Sequence, residues 1–199
     1  MPTRKDLIVE QGRTFRSVVR WEVEPLVYRP ITGITRAAPP VITAAAHGIP
    51  NGWRAAVVDA VGMVEMNAKK NPPALSDYRR MTVIDASTVS VDELSAAAFR
   101  AYVSGGYLAY FMPADLLSCT ARMSIKNKVG GTLLASLTSA GGAIVVDNTL
   151  KTVTLVLDAA ATAAYTWVSG VYDLEMISPA GVVTAILYGD VTLTKEVTS

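Results

Sequence analysis

Residues 170–189 read GVYDLEMISPAGVVTAILYG, and this stretch predicts a β-hairpin. Its first half alternates apolar and acidic side chains in the order Tyr172, Asp173, Leu174, Glu175, Met176. A period of two places one set on a buried sheet face and the other on a wet face. The turn SPAG follows, where Pro179 restricts φ and Gly181 permits a positive φ. The second half, VVTAILYG, then returns as the partner strand.

A similar strand-like residue pattern occurs near the start of the chain, where residues 15–19 read FRSVV. Before residue 31, Pro25 and Pro30 interrupt the alternation and favour a crossing segment or linker rather than a central strand. From residue 31 to residue 106 the chain consists of short β-type runs separated by Gly, Pro and Asn. Such spacing is typical of a small barrel or curled sheet.

The sequence therefore predicts an all-β fold with two domains. Residues 1–30 and 107–199 together form a β-sandwich built from the N-terminal and C-terminal segments. Residues 31–106 form a small, inserted, β-barrel-like domain. This division rests on the Gly, Pro and Asn residues that separate the short runs, and on the change in residue pattern at the two boundaries.

Two segments carry a helix signal. The run VDELSAAAFRAYVSGG, residues 91–106, indicates a turn or two of helix that starts at Asp92. Asp158 precedes an alanine-rich run and is a suitable N-cap for a short helix. Both helices are expected to be minor features of a β-protein.

Composition excludes several classes of protein. A net charge of +1 over 199 residues is unlike the basic excess of a protein that coats nucleic acid. Cys119 is the single cysteine and His47 the single histidine, so no structural zinc site and no intrachain disulfide are expected. No run of about 18 apolar residues exists that would span a membrane. The charged opening, MPTRKDLIVEQG, lacks a secretion signal and predicts a protein kept in the cytosol or exported by another route.

His47 lies in VITAAAHGIPNG, residues 41–52, and any imidazole-dependent mechanism would need it. Its neighbours are alanines and glycine, with no nucleophile or carboxylate nearby in the sequence. The residues that follow it are turn residues, since Asn51-Gly52 tolerates positive φ. The sequence therefore predicts that His47 ends a strand and hydrogen-bonds turn backbone.

Paired carboxylates are the other candidate for catalysis. Asp173 and Glu175 are two residues apart on a predicted strand, so both side chains point to the same face. The simpler interpretation is the solvated face of a half-buried hairpin. No catalytic residue, metal site or cofactor is predicted, and the chain is expected to have no enzymatic activity.

The middle block resembles the FCCH-type domain, which is named after a part of the ubiquitin-activating enzymes and occurs in many bacteriophage tail and virion proteins. The matching residues are Ile34-Thr35, Ile42-Thr43, His47-Gly48, Asn51-Gly52, Gly62-Met63 and Glu65-x-Asn67. An acidic residue usually follows the Asn-Gly pair in that pattern. This chain has Trp53-Arg54 there instead, a difference that would change a contact surface at this position.

The C-terminal block, TWVSGVYDLEMISPAGVVTAILYGDVTLTKEVT, is similar to a small phage and prophage protein family. That family carries a Trp-x-x-Gly-x-Tyr-Asp-Leu hairpin with a Ser-Pro-x-Gly turn, and MPTRKDLIVEQGRTFRSVVRW looks like its N-terminal strand. The two resemblances cover most of the chain. They imply a structural component of a tailed phage particle, most often tail-associated (tail, adaptor or baseplate). Its partners would be other virion proteins, and several copies would sit in a symmetric assembly formed in the host cytoplasm.

Four residues are the candidate interface positions: Trp53, Arg54, Tyr107 and Tyr110. Tryptophan and arginine are enriched where proteins bind one another, and Trp53 follows a turn and precedes Arg54, so it is a candidate interface anchor; ordinary packing in the insert is the alternative. The two tyrosines belong to the most aromatic stretch, residues 102–113, which is expected to line the junction between insert and sandwich. By contrast, the side chains of Trp21 and Trp167 are expected to pack inside the sandwich core.

Three alternatives remain open at this point. A capsid decoration or cement protein would have the same fold and a different place on the particle. A host-glycan binding module would use an exposed aromatic platform at Trp53. An enzyme acting on cell-wall polymers would depend on Asp173 or Glu175.

Overall fold

A computed structural model describes residues 2–196 of the chain. The predicted all-β class is confirmed, because strands hold 47% of the residues and helices 6%. The strands are β1 (Thr3–Arg4), β2 (Leu7–Glu10), β3 (Phe15–Val19), β4 (Glu22–Pro30), β5 (Gly33–Ile34), β6 (Val41–Thr43), β7 (Arg54–Val58), β8 (Arg79–Arg80), β9 (Thr82–Val83), β10 (Thr88–Ser90), β11 (Tyr107–Pro113), β12 (Thr120–Lys126), β13 (Leu133–Thr138), β14 (Ile144–Asp147), β15 (Thr152–Leu157), β16 (Ser169–Ile177) and β17 (Val183–Thr194). The helical elements are α1 (Ala159–Ala163) and two single 3-10 turns, Val64–Met66 and Leu75–Asp77.

The chain divides into two compact units. The first, called the outer unit, contains residues 2–21 and 115–196, and the second, called the inserted unit, contains residues 22–114. The sequence placed the boundaries after residue 30 and after residue 106. The structure places them after residues 21 and 114, because β4 pairs with β11 along the whole of β11 and both strands belong to the inserted unit.

The segment with the two prolines is therefore a strand, and the prediction of a crossing connection there was wrong. β4 lies at the edge of its sheet, where a missing backbone N–H disturbs only one side. The register shifts between Phe111 and Met112, so that Glu24 and Pro25 of β4 have no partner residue on β11. Such an irregularity accommodates the proline without breaking the pairing on either side.

The outer unit is a sandwich of two sheets. The larger sheet has the order β1-β17-β16-β12-β13, with β2 also paired to β17, and the smaller has the order β14-β15-β3. Apolar side chains from both sheets are buried, among them Met123, Leu174, Met176, Ile144 and Leu155. Complete burial of each such side chain contributes about 1.5–3 kcal/mol to folding.

The hairpin predicted from residues 170–189 is confirmed. β16 and β17 are antiparallel neighbours, and the SPAG turn is closed by the Gly181 amide, which donates to the Ser178 carbonyl at 2.9 Å. Gly181 adopts φ 79°, a conformation that a side chain disfavours. The two faces also follow the alternation, with Tyr172, Leu174 and Met176 buried and Asp173 exposed.

The N-terminal strands add to this hairpin in parallel. Leu7 lies opposite Val191, and Val9 lies opposite Leu193. Both Leu7 and Val9 are buried, so the start of the chain contributes to the same core as its far end. Parallel pairing over such a distance has no turn residue to mark it, and sequence inspection did not predict it.

The inserted unit contains two four-stranded sheets with a common core. Their orders are β5-β6-β10-β9 and β4-β11-β7-β8. The largest fully buried side chains of this core are Trp53, Tyr110, Ile42, Met63, Met81 and Leu108. The short strands and many turns agree with the small curled sheet expected from the sequence.

The helix expected from Asp92 is absent, whereas the one expected after Asp158 is present. The Asp92 carboxylate accepts hydrogen bonds from the Ser90 and Thr82 hydroxyls instead of capping a helix. Ala96 is fully buried, and its amide donates to the Ala37 carbonyl at 2.9 Å, so tertiary contacts hold this segment in isolated turns. Asp158 does cap α1, accepting from the Ala161 amide at 2.6 Å.

Candidate functional site

His47 is buried within the inserted unit and its ring is bonded to backbone on both sides. The Ile49 amide donates to Nδ1 at 3.2 Å, and Nε2 lies 2.9 Å from the Asp85 carbonyl oxygen. Since Nδ1 accepts, the proton of the neutral ring resides on Nε2, which donates to Asp85. The Tyr110 hydroxyl donates to the carbonyl of His47 itself. The predicted bonding of His47 to backbone is therefore confirmed, although strand β6 ends at Thr43 and His47 lies in the loop that follows it.

We expect His47→Ala to lower the free energy of unfolding by about 2–3 kcal/mol, because the substitution leaves the Ile49 amide and the Asp85 carbonyl without their partner. Urea unfolding of the full chain measures the loss. His47→Gln is the matched variant, since its amide offers one acceptor and two donors and recovers part of the stability. An alanine variant as stable as the parent chain would mean that the imidazole bonds add nothing net.

Two of the four candidate interface residues are core residues. Trp53 is 0% exposed and Tyr110 is 1% exposed. Trp53 precedes β7, and the Met81 amide donates to the Trp53 carbonyl at 2.7 Å, which fixes the backbone so that the indole enters the core. Its Nε1 donates to the Phe111 carbonyl at 2.9 Å. The interpretation of Trp53 as an exposed anchor, and with it the glycan platform at Trp53, was wrong, and the alternative of ordinary packing in the insert is confirmed.

The prediction that Trp21 and Trp167 lie inside the sandwich core was wrong. Trp21 and Trp167 are only partly buried, and neither belongs to the buried core. Trp167 lies against Tyr165 with ring centroids 5.1 Å apart. Within residues 2–196, its buried Nε1 has no hydrogen-bond partner.

Arg54 and Tyr107 remain accessible, each with a partner in the inserted unit. Arg54 makes two hydrogen bonds of 2.6 Å to the Glu22 carboxylate, and this bonding raises the pKa of the guanidinium. Its guanidinium carbon lies 5.6 Å from the centre of the Tyr78 ring. Tyr107 is 42% exposed and meets Tyr28 edge-on at 6.1 Å.

The two candidate catalytic carboxylates share a face, as predicted, but have different surroundings. Glu175 pairs with Arg122 at 2.7 Å. The Asp173 side chain has no hydrogen-bond or ion-pair partner among the described residues. Across residues 2–196, no three His, Cys, Asp or Glu side chains are grouped closely enough to hold a metal ion.

The larger sheet of the outer unit carries an open groove of about 440 Å³ on its solvent-facing side. Its lining includes Lys126, Val129, Val171, Asp173, Tyr188 and Asp190. The volume falls in the usual range of small-molecule sites, roughly 300–1,000 Å³. One signal for the groove was available in the sequence, because Tyr188 is the aromatic member of the outward-facing set on β17, together with Asp190 and Thr192.

No known family model matches the chain, and no curated protein matches it.

Proposed function

We propose that this chain is a non-enzymatic structural component of a tailed bacteriophage particle, assembling through protein–protein contacts. The proposal rests on the resemblance of both blocks to phage proteins and on one structural observation: the sheets of the outer unit end in edge strands that expose apolar side chains. A tail-associated position (tail, adaptor or baseplate) is the first choice. A capsid decoration or cement protein is the alternative position.

The smaller sheet provides the clearest example of such edges. β3 and β14 each pair only with β15 among the described strands. Val18 on β3 and Val145 on β14 lie in one row across the sheet, on either side of Thr154. Val18 is 47% exposed and Val145 is 50% exposed. An unpaired edge with exposed valines favours addition of a strand from a neighbouring chain.

The larger sheet ends in a similar edge at β13. This strand pairs only with β12 among the described strands, and Leu133 at its start is exposed. Its sequence, LLASLT, contains neither lysine nor proline, the residues that commonly block edge-to-edge pairing. A net charge of +1 adds little repulsion between copies of the chain. Together these features favour assembly into a larger, symmetric structure.

Other parts of the proposal depend on the resemblance alone. They are the partners, which would be other virion proteins, and the location, which would be the virion after assembly in the host cytoplasm. No helix within residues 2–196 is long and apolar enough to cross a membrane.

Antibody labelling of intact particles, viewed by negative-stain electron microscopy, tests the proposal. Label at the tail is expected; label over the head would assign the chain to capsid decoration and keep the structural role. Particles that carry no label, together with virions in which mass spectrometry finds no copy of the chain, would overturn the structural role itself.

A pair of variants links incorporation to the edge strands. Val145→Lys places a charge on the exposed edge of β14 and is expected to reduce the number of copies per particle. Val182→Lys changes a valine that directly follows the SPAG turn and is at least as exposed as Val145, and it is expected to leave copy number unchanged. Equal incorporation of the two variants would show that β14 is not an assembly edge.

A further inference from the structure

The groove on the outer unit has a rigid floor. It is built from three neighbouring strands, β12, β16 and β17, whose register places side chains in two rows. The first row contains Ser124, Asp173 and Tyr188, each directly opposite the next. The second row contains Lys126, Val171 and Asp190 in the same order. With strands about 4.8 Å apart, each row spans roughly 10 Å.

Several polar groups in the groove are left free by the protein. Among the described residues, the side chains of Asp173, Lys126, Ser124 and Tyr188 have no hydrogen-bond or ion-pair partner. At the rim the situation is different, because Arg4 pairs with Asp190 at 2.7 Å and also with Asp6 at 3.3 Å. The groove thus contains unpaired donors and acceptors in its middle, beside charges that are already neutralised.

The groove also exposes apolar side chains on the solvent-facing side of the sheet. Tyr188 is 44% exposed and lies directly opposite Asp173 on the neighbouring strand. Val129, in the turn after β12, is 89% exposed, and Val171 lies on the floor. An exposed aromatic ring with convergent polar groups is the composition of a ligand site rather than of a merely solvated face.

We propose that this groove binds a short, neutral saccharide. The ring of Tyr188 contacts the C–H face of one sugar, while Asp173 accepts hydrogen bonds from its hydroxyls and Lys126 and Ser124 donate to them. The unpaired charges, one carboxylate and one ammonium, cancel, so the groove has no net attraction for an anionic or a cationic ligand. A phosphate-rich chain such as nucleic acid would need several free cations. Of the two described cationic residues that line the groove, Arg4 is paired with Asp190 and Lys126 is free.

This inference goes beyond the proposed structural role and does not depend on it, because binding is measured on the isolated full chain. The probe is a microarray of neutral and anionic bacterial surface polysaccharides with their short fragments, followed by calorimetric titration of the fragments that bind. We expect neutral fragments to bind, with an affinity that is the same at low and high salt.

Variants at Tyr188 and Asp173 identify the site. Tyr188→Ala is expected to weaken binding by about tenfold or more, the usual cost of losing an aromatic anchor. Tyr188→Phe keeps the ring and retains most of the affinity, and Asp173→Asn weakens binding several-fold. Tyr107→Ala is the matched control, since it removes a similarly exposed tyrosine from the inserted unit and leaves binding unchanged.

Three results would each overturn the proposal. They are the absence of binding to every neutral glycan of the array, binding that is confined to anionic glycans and lost in high salt, and binding that Tyr188→Ala leaves intact. Circular dichroism of each variant confirms that it is folded before titration.

Discussion

Trp53→Ala is expected to lower the free energy of unfolding by about 3–5 kcal/mol, one of the largest losses for a single substitution in this chain. Trp53 is 0% exposed and lies in the core that both sheets of the inserted unit share. The substitution leaves a cavity there, and it also removes the donor to the Phe111 carbonyl. Urea unfolding of the full chain, followed by circular dichroism, measures the change.

Two further variants separate the contribution of the cavity to this loss of stability from that of the lost hydrogen bond. Trp53→Phe keeps much of the volume and loses the donor, so its loss is expected to be clearly smaller than that of alanine. Tyr107→Ala removes a 42% exposed ring and is expected to cost well under half as much as Trp53→Ala. If Trp53→Ala cost no more than Tyr107→Ala, the indole would not be the centre of this core.

Gly106→Ala is expected to be strongly destabilising as well, by about 2–5 kcal/mol, because two separate costs add. Gly106 has φ 82°, where an L side chain costs about 1–2 kcal/mol. A Cβ there would lie 2.7 Å from the Ala60 Cα and 2.9 Å from the Val58 carbonyl oxygen. These atoms are backbone and cannot turn aside, so the overpacking costs about 1–3 kcal/mol more.

The adjacent residue provides a matched control for this prediction. Gly105 has φ 68°, and a Cβ there would meet nothing closer than the Asp59 carbonyl oxygen at 3.9 Å. Gly105→Ala therefore carries the conformational cost without the clash and is expected to lose about 1–2 kcal/mol. Thermal or urea unfolding measures the loss of unfolding free energy in each variant, and the difference between the two losses is the cost of the steric clash. Equal losses would contradict the close approach at Gly106.

The local pattern of the sequence was a good guide wherever one strand pairs with the next. The hairpin β16–β17 was predicted because its apolar period and its turn residues lie within 20 residues of one another. His47 was assigned to a corner because the residues after it are turn residues, and its ring does bond to backbone within that corner. The N-cap at Asp158 was equally local.

Errors arose where a distant segment decided the outcome. Trp53 follows a turn, which suggested exposure, but pairing with Met81 turns its side chain into the core. Asp92 resembles a helix start, but hydroxyls of Thr82 and Ser90 take its carboxylate. In each case a residue 10 or more positions away contributes, Met81 for Trp53 and Thr82 for Asp92, and the local sequence does not reveal that contact.

The sequence by itself determined the all-β class, the alternation of faces along single strands and the position of the tight turns, because each follows from residues within one strand or turn. Tertiary structure alone decided that β4 belongs to the inserted unit, that β1 and β2 add in parallel to β17, and that Tyr188 and Asp173 meet in one groove. The physical reason is that a period of two specifies which residues share a face, whereas long-range strand pairing specifies which faces are covered and which side chains come together.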